Sequence, residues 1–198
     1  MYRYSKGRQS GEPEYGKKWA MEVLGLPHPY RSFDRAGWHF IVLDSTFPQN
    51  DSYTAKLDDE QFEWLQAELQ RTPATTHVLV LSHMPILSVC AYIDGNNEKT
   101  GNWVIPGDWV HIDARRIVNL FHRHLNVKLC LSGHMHQYDR ADYDGVTYIC
   151  SGAVCGNWWN TRTPQYYQTQ PGYLMLDLYE DGTFESKYIT ITFPASQG

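Results

Sequence analysis

The chain has 198 residues, enough for one substantial hydrophobic core and too few for two independent ones. Hydrophobic residues make up 42% and charged residues 20%, the balance of a globular domain, and no stretch approaches the roughly 18 apolar residues of a membrane-spanning helix. A net charge of -5 with scattered basic residues argues against a nucleic-acid or anionic-membrane surface.

The chain opens on Met1 and a polar segment with no apolar core of a signal peptide, so cytoplasm is the default compartment. A helical turn is expected near Tyr15–Leu24. Tyr30–Phe33 and Trp38–Leu43 flank Asp34-Arg35-Ala36-Gly37 and predict a hairpin leading into a buried strand. Asp58-Asp59-Glu60 places acids at a helix start. Phe62, Leu65 and Leu69 then recur at helical spacing to about Arg71, where Thr72-Pro73 stops the helix. His77–Leu81 is a short apolar strand.

Residues 88–110 hold three turn-rich groups, Gly95-Asn96-Asn97, Gly101-Asn102-Trp103 and Pro106-Gly107-Asp108, and read as a long loop beside a cleft. A second helix is expected over Val110–His124 with Ile112, Ile117, Leu120 and Phe121 inward, followed by a buried strand at Val127–Leu131. Beyond it, Tyr138–Tyr143, Val146–Cys150, Tyr173–Tyr179 and Thr183–Phe193 read as strands. The turn signals Asp144-Gly145 and Asp181-Gly182 predict an antiparallel meander there. Helices alternating with apolar strands in the first half make the fold class α/β. Cys90, Cys130, Cys150 and Cys155 lack Cys-x-x-Cys spacing. Cys130 and Cys150 fall in strand-like runs where a buried thiol is the default, and a disulfide stays open.

Two segments carry chemistry. Ser82-His83-Met84-Pro85 and Ser132-Gly133-His134-Met135-His136 each follow a buried strand. His134 and His136, two apart in an extended segment, share a face and can reach two metals about 3.5–4 Å apart. Gly133 removes a side chain where the strand must turn. Neutral imidazole suits Zn, Fe, Mn and Co. The other histidines, His28, His39, His77, His111, His122 and His124, read as structural or surface residues.

In these residues the chain resembles the calcineurin-like metallophosphoesterases, the superfamily that includes purple acid phosphatases and cyclic-nucleotide phosphodiesterases. Tyr30–Asp34, Trp38–Ser45 and the Asp59–Leu69 helix resemble the stretch following the family's Gly-Asn-His-Glu box. Ser82-His83 resembles its isolated metal-binding histidine, and Gly133-His134-Met135-His136 its Gly-His-x-His box. Cys150-Ser151-Gly152-Ala153 with Asn157-Trp158-Trp159 resembles a strand and loop near the cleft. The resemblance implies an incomplete αββα sandwich over 1–198, a single partial metallophosphoesterase domain with a mixed sheet first and antiparallel strands second.

It further implies Mn, Fe or Zn ions, with His83 and His134 on the second metal and His136 on the first, and Asn157, Trp158, Trp159 and Asn160 on the substrate side. The implied reaction is attack of metal-activated hydroxide on a phosphomonoester or phosphodiester. The family's Asp-x-His, Gly-Asp and Gly-Asn-His-Glu motifs do not occur in their usual order in these 198 residues. Three neutral imidazoles without a bridging anion predict weak or single-metal binding, and Asp44 and Asp139 are the nearest substitute carboxylates. A homodimer partner or an N-terminal segment is expected to cover an exposed sheet. Two further readings are an inactive remnant serving as a binding or assembly module, and an unrelated single-metal protein.

Overall fold

The structure, a computed structural model, describes residues 16–49, 52–156 and 168–192. Helix α1 spans Gly16–Leu24. The hairpin β1 (Arg31–Arg35) and β2 (Trp38–Leu43) follows it. A second hairpin, β3 (Thr46–Gln49) and β4 (Ser52–Ala55), was not signalled by the sequence. Next come α2 (Asp59–Arg71) and β5 (His77–Ser82). The 88–110 stretch is more ordered than a loop: it holds a helical turn α3 (Cys90–Ile93) and a small ribbon, β6 (Glu98–Lys99) with β7 (Asn102–Trp103).

Helix α4 spans only Ala114–Phe121, shorter than the Val110–His124 expected. Ile117, Leu120 and Phe121 face the core, but Ile112 lies before the helix and is 61% exposed. The chain ends in β8 (Val127–Ser132), β9 (Asp139–Tyr143), β10 (Val146–Cys150), β11 (Gly172–Leu178) and β12 (Phe184–Thr190). Among the described residues, no helix is long and apolar enough to cross a membrane.

Six strands form a mixed sheet in the order β1-β2-β5-β8-β10-β9. The expected meander in the second half is half right. β9 and β10 are an antiparallel hairpin, as are β11 and β12. β10, however, joins the sheet parallel to β8, because its five buried residues need cover on both faces, as central parallel strands do.

One face of the sheet carries α2 and α4. Phe62, Leu65, Leu69, Ile117, Leu120 and Phe121 interlock there with Ile41, Val78, Val80, Cys130 and Tyr148. On the other face, Leu174, Leu176, Leu178 and Phe184 of the β11–β12 ribbon pack on Trp38, Leu79, Leu129 and Ile149. The result is three layers: helices, mixed sheet, antiparallel ribbon. All four cysteines are free thiols, with Cys130 and Cys150 buried.

Local chemistry fixes the ends of these elements. Asp58 caps α2 by accepting the Gln61 N–H at 2.7 Å, worth about 1 kcal/mol. The buried Gln61 amide in turn accepts from the Asp44 N–H at 2.8 Å and donates to the Asp44 carbonyl at 3.0 Å, so the end of β2 is satisfied by the helix that covers it. Buried Glu68 accepts from Ser32 of β1 at 2.7 Å and pairs with His39 and Arg71, tying the edge strand to α2.

The ribbon is docked through Trp38, whose indole N–H donates to the Tyr179 carbonyl at 2.8 Å. Gly182 in the ribbon's turn has φ +83, and a Cβ there would overlap the His77 ring. Gly182→Ala should therefore cost more than the about 1–2 kcal/mol of a left-handed alanine. Gly145→Ala, at φ +79 with open space around it, should cost only the backbone part. Urea unfolding of both, and of Gly182→Ala in a His77→Ala background, checks this: the excess cost should vanish in the double variant.

A histidine pair at the carboxyl ends of two parallel strands

β5 and β8 are parallel neighbours whose register pairs Val80 with Cys130 and Leu81 with Leu131. Their chain continuations therefore leave the sheet side by side, and the Gly133 N–H donates to the His83 carbonyl at 3.1 Å. Carboxyl ends of parallel strands are where open α/β sheets bind ligands, because the loops there are free to carry side chains.

The structure brings two of the three predicted histidines into contact. His134 Nδ1 lies 3.1 Å from His83 Nε2, with the ring planes at 73°. The other nitrogen, His134 Nε2, lies 2.7 Å from the Asp108 carbonyl. A carbonyl only accepts, so His134 carries its proton on Nε2 and turns the Nδ1 lone pair toward His83. Two imidazole nitrogens on one tetrahedral cation, at bonds of about 2.0–2.1 Å, stand about 3.3–3.4 Å apart. The observed 3.1 Å is a hydrogen bond in which His83 Nε2–H donates to His134 Nδ1, slightly inside the spacing of two ligands on one cation, so loss of the His83 Nε2 proton would leave both nitrogens near ligand distance. A backbone carbonyl on the far nitrogen is also the usual device that orients a metal-binding histidine.

His136 stands apart from this pair. Its Nδ1 is 3.1 Å from the Gly156 carbonyl and 3.4 Å from Cys155 Sγ. Among the described residues, no three His, Cys, Asp or Glu side chains converge into a metal cage. The two substitute carboxylates already have partners, although Asp44 lines the same cavity as His83. Asp44 pairs with Lys17 and accepts from Thr46, while Asp139 accepts from Ser88 Oγ at 2.8 Å and the Cys90 N–H at 2.6 Å. Asn157, Trp158, Trp159 and Asn160 lie outside the described residues.

The turn after β8 differs from the expected one. Gly133 has no positive φ and nothing within 4 Å of a Cβ placed there. The left-handed residues are the histidines themselves, His134 at φ 69 and His136 at φ 57. Non-glycine residues held there cost of order 1–3 kcal/mol each and persist where surroundings impose them, often at functional sites. The imposing contact is Met135, 6% exposed, which is sunk into a cluster with Ala91, Cys150, Ile105, Trp109 and Val110. Met135 anchors the loop, and the flanking histidines turn outward.

Sequence reasoning missed Asp108, which touches His134 through its carbonyl while its carboxylate acts on His134 and Tyr53 through space, and Tyr53, whose ring meets His134 edge-on at 6.4 Å. No side-chain motif signals either one.

Partial desolvation depresses the basicity of all three imidazoles and is the largest cause in each case, although His83 keeps part of its surface open to solvent. For His83 the neighbouring His134 adds to the effect, lowering its pKa to about 4. All three are therefore neutral at neutral pH, the form that binds metal. Because His83 has a folded pKa below its unfolded value of 6.5, the unfolded chain takes up the proton first. The associated stability is present above pH 6.5 and is lost as pH falls toward about 4. Urea titrations of metal-free protein across that window should show a shallower loss in His83→Asn than in the unsubstituted chain. Equal slopes would refute the assignment.

No family model matches the chain. It is 29% identical over 165 residues to a 3′,5′-cyclic-nucleotide phosphodiesterase of Nostoc, an alignment covering 83% of this chain and 56% of that protein. It is 24% identical to the Escherichia coli 3′,5′-cyclic adenosine monophosphate phosphodiesterase, covering 85% and 56%. With purple acid phosphatase 21 of Arabidopsis thaliana it shares 28% over 70% of this chain and 30% of the relative. The chain thus spans about half the length of the first two relatives. In structure it resembles a dimetal phosphatase of Danio rerio, with a TM-score of 0.50 and 16% identity over 71% of this chain and 55% of the other. It also resembles GAP50, the inner-membrane-complex anchor of Plasmodium, at 0.51 and 15% over 83% and 51%. By sequence the chain is similar to phosphodiesterases and a phosphatase of the calcineurin-like metallophosphoesterase superfamily, and its fold resembles that of a dimetal phosphatase.

Proposed function

We propose that this chain carries part of the site of a metal-dependent phosphoesterase, acting on a phosphomonoester or a phosphodiester. The observation that carries the reading is the 3.1 Å approach of His83 Nε2 and His134 Nδ1, two neutral imidazoles joined by one N–H···N hydrogen bond close to the spacing of two ligands on one cation. The relatives support it: those named above are phosphodiesterases and a phosphatase.

His83 and His134 would hold one cation, and His136 would contribute to a second. Bound there, a divalent metal supplies Lewis-acid chemistry, polarising a phosphoryl oxygen and acidifying water. This chain's own residues do the rest. The Asp108 carbonyl holds the His134 tautomer, and the Met135 cluster holds the loop. Tyr53 borders the ring, its hydroxyl kept protonated by burial and then by the Asp108 carboxylate. Two imidazoles leave most coordination positions to water or substrate, so affinity should be modest compared with a cage that includes carboxylates.

The test is Mn²⁺ and Zn²⁺ titration of metal-free protein, with hydrolysis of an aryl phosphate and a bis-aryl phosphate followed in parallel. His134→Ala should lower metal uptake and abolish whatever hydrolysis the unsubstituted chain shows. Unchanged metal uptake in a His83→Ala/His134→Ala double variant would overturn the reading.

A further inference from the structure

A fourth histidine lies behind the pair, and neither the strand pattern nor the metal-site resemblance accounts for it. His111 is 3% exposed, in the segment leading into α4. Its Nδ1 is 2.9 Å from Asp113 Oδ1, and Asp113 Oδ2 accepts the Leu57 N–H at 3.0 Å. A carboxylate only accepts, so the imidazole carries a proton on Nδ1 and turns Nε2 toward Ser82 Oγ, 3.3 Å away. Ser82 is the residue immediately before His83. Its one hydroxyl hydrogen points mainly to the Met84 carbonyl at 2.6 Å, closing a turn around His83, and is shared with His111 Nε2 as the longer arm of a three-centre contact.

The same histidine grips the turn a second time. Its backbone N–H donates to the Pro85 carbonyl at 3.0 Å. From the opposite side, Ser45 Oγ accepts the Met84 N–H at 3.0 Å. His83 thus projects from a turn whose polar groups on either side are held, while its own ring stays solvent-accessible. Helix-side contacts reach it along one continuous line, from Leu57 through Asp113, His111 and Ser82.

We propose that His111, oriented by Asp113, is a positioning residue for His83: through Ser82 it sets the direction of His83 Nε2 toward His134. The proposal rests on the reading of His83 and His134 as metal ligands. Residues that orient metal-binding side chains typically change metal affinity by about 10- to 100-fold when replaced.

Asparagine and glutamine separate this role from simple support of the fold. Asparagine at 111 places its amide where Nδ1 was and keeps the Asp113 contact. Glutamine reaches to where Nε2 was and keeps the Ser82 contact. Zn²⁺ affinity of the full chain should fall about 10- to 100-fold in His111→Ala, His111→Asn and Ser82→Ala, and stay near the unsubstituted value in His111→Gln. Urea unfolding of the metal-free variants gives their stabilities. If His111→Asn keeps its affinity, or if affinity simply follows stability across the set, the proposal is wrong.

A metal-free readout separates this result from the fate of the functional reading. Ring ¹⁵N NMR of the apo protein should show the His83–His134 ring contact retained in His111→Gln and lost in His111→Asn. Retention in both overturns the positioning role. Absence of Zn²⁺ uptake by the unsubstituted chain counts against the phosphoesterase reading alone, and the ring contact still decides the role of His111.

Discussion

The parallel pairing of β5 with β8 is the constraint from which the site follows. Its register sets Leu81 against Leu131, so the residues after each strand emerge level and the Gly133 N–H meets the His83 carbonyl. A slip of one residue would displace one loop along the strand axis by about 3.3 Å and reverse the faces of every following side chain. Either change alone separates His83 from His134. The register is held because Val78, Leu79, Val80 and Leu129 are fully or almost fully buried, between helices on one face and the ribbon on the other. Core packing and site geometry are therefore one problem.

Around that axis the structure directs conformational cost toward the histidine loop. His134 and His136 adopt left-handed backbone, which isolated peptides avoid. The buried Met135 between them and the Asp108 carbonyl beyond supply the compensating contacts. The 88–110 stretch contributes both: Ile105 and Trp109 to the packing, Asp108 to the hydrogen bond. Its helical turn and small ribbon make it a built wall. Asp139 ties its first foot down through Ser88 and Cys90.

Electrostatically the site holds neutral imidazoles with no carboxylate hydrogen-bonded to the facing nitrogens among the described residues; the Asp108 carboxylate acts on His134 from a distance, and Asp44 lines the same cavity as His83. Desolvation lowers the basicity of all three histidines, which removes proton competition for a cation but supplies no negative charge to attract one. Asp44 and Asp139, the acids nearest by strand position, are committed to Lys17, Thr46, Ser88 and Cys90. A cation at His83 and His134 would therefore depend on ligand geometry, and small changes in ring direction matter correspondingly more.

Where hydrophobic period and local turn chemistry decide structure, the sequence alone was sufficient. The buried alternation of Trp38–Leu43, the Phe62, Leu65 and Leu69 stripe, and the hairpin turns at Asp144-Gly145 and Asp181-Gly182 all appear as elements, since each depends on residues within a few positions of one another. The two histidine segments were legible for the same reason. Other features needed tertiary structure. The β3–β4 hairpin and the outward turn of Ile112 are local but carry no turn or periodicity signal, while the parallel placement of β10, the 3.1 Å approach of His83 to His134 and the contact of His111 with Ser82 join residues far apart in the chain. The residue types showed that imidazoles were available at two strand ends. Which nitrogens face each other is set by strand register, by a backbone carbonyl with no sequence signature, and by a buried histidine whose partner contact exists only once the chain has folded.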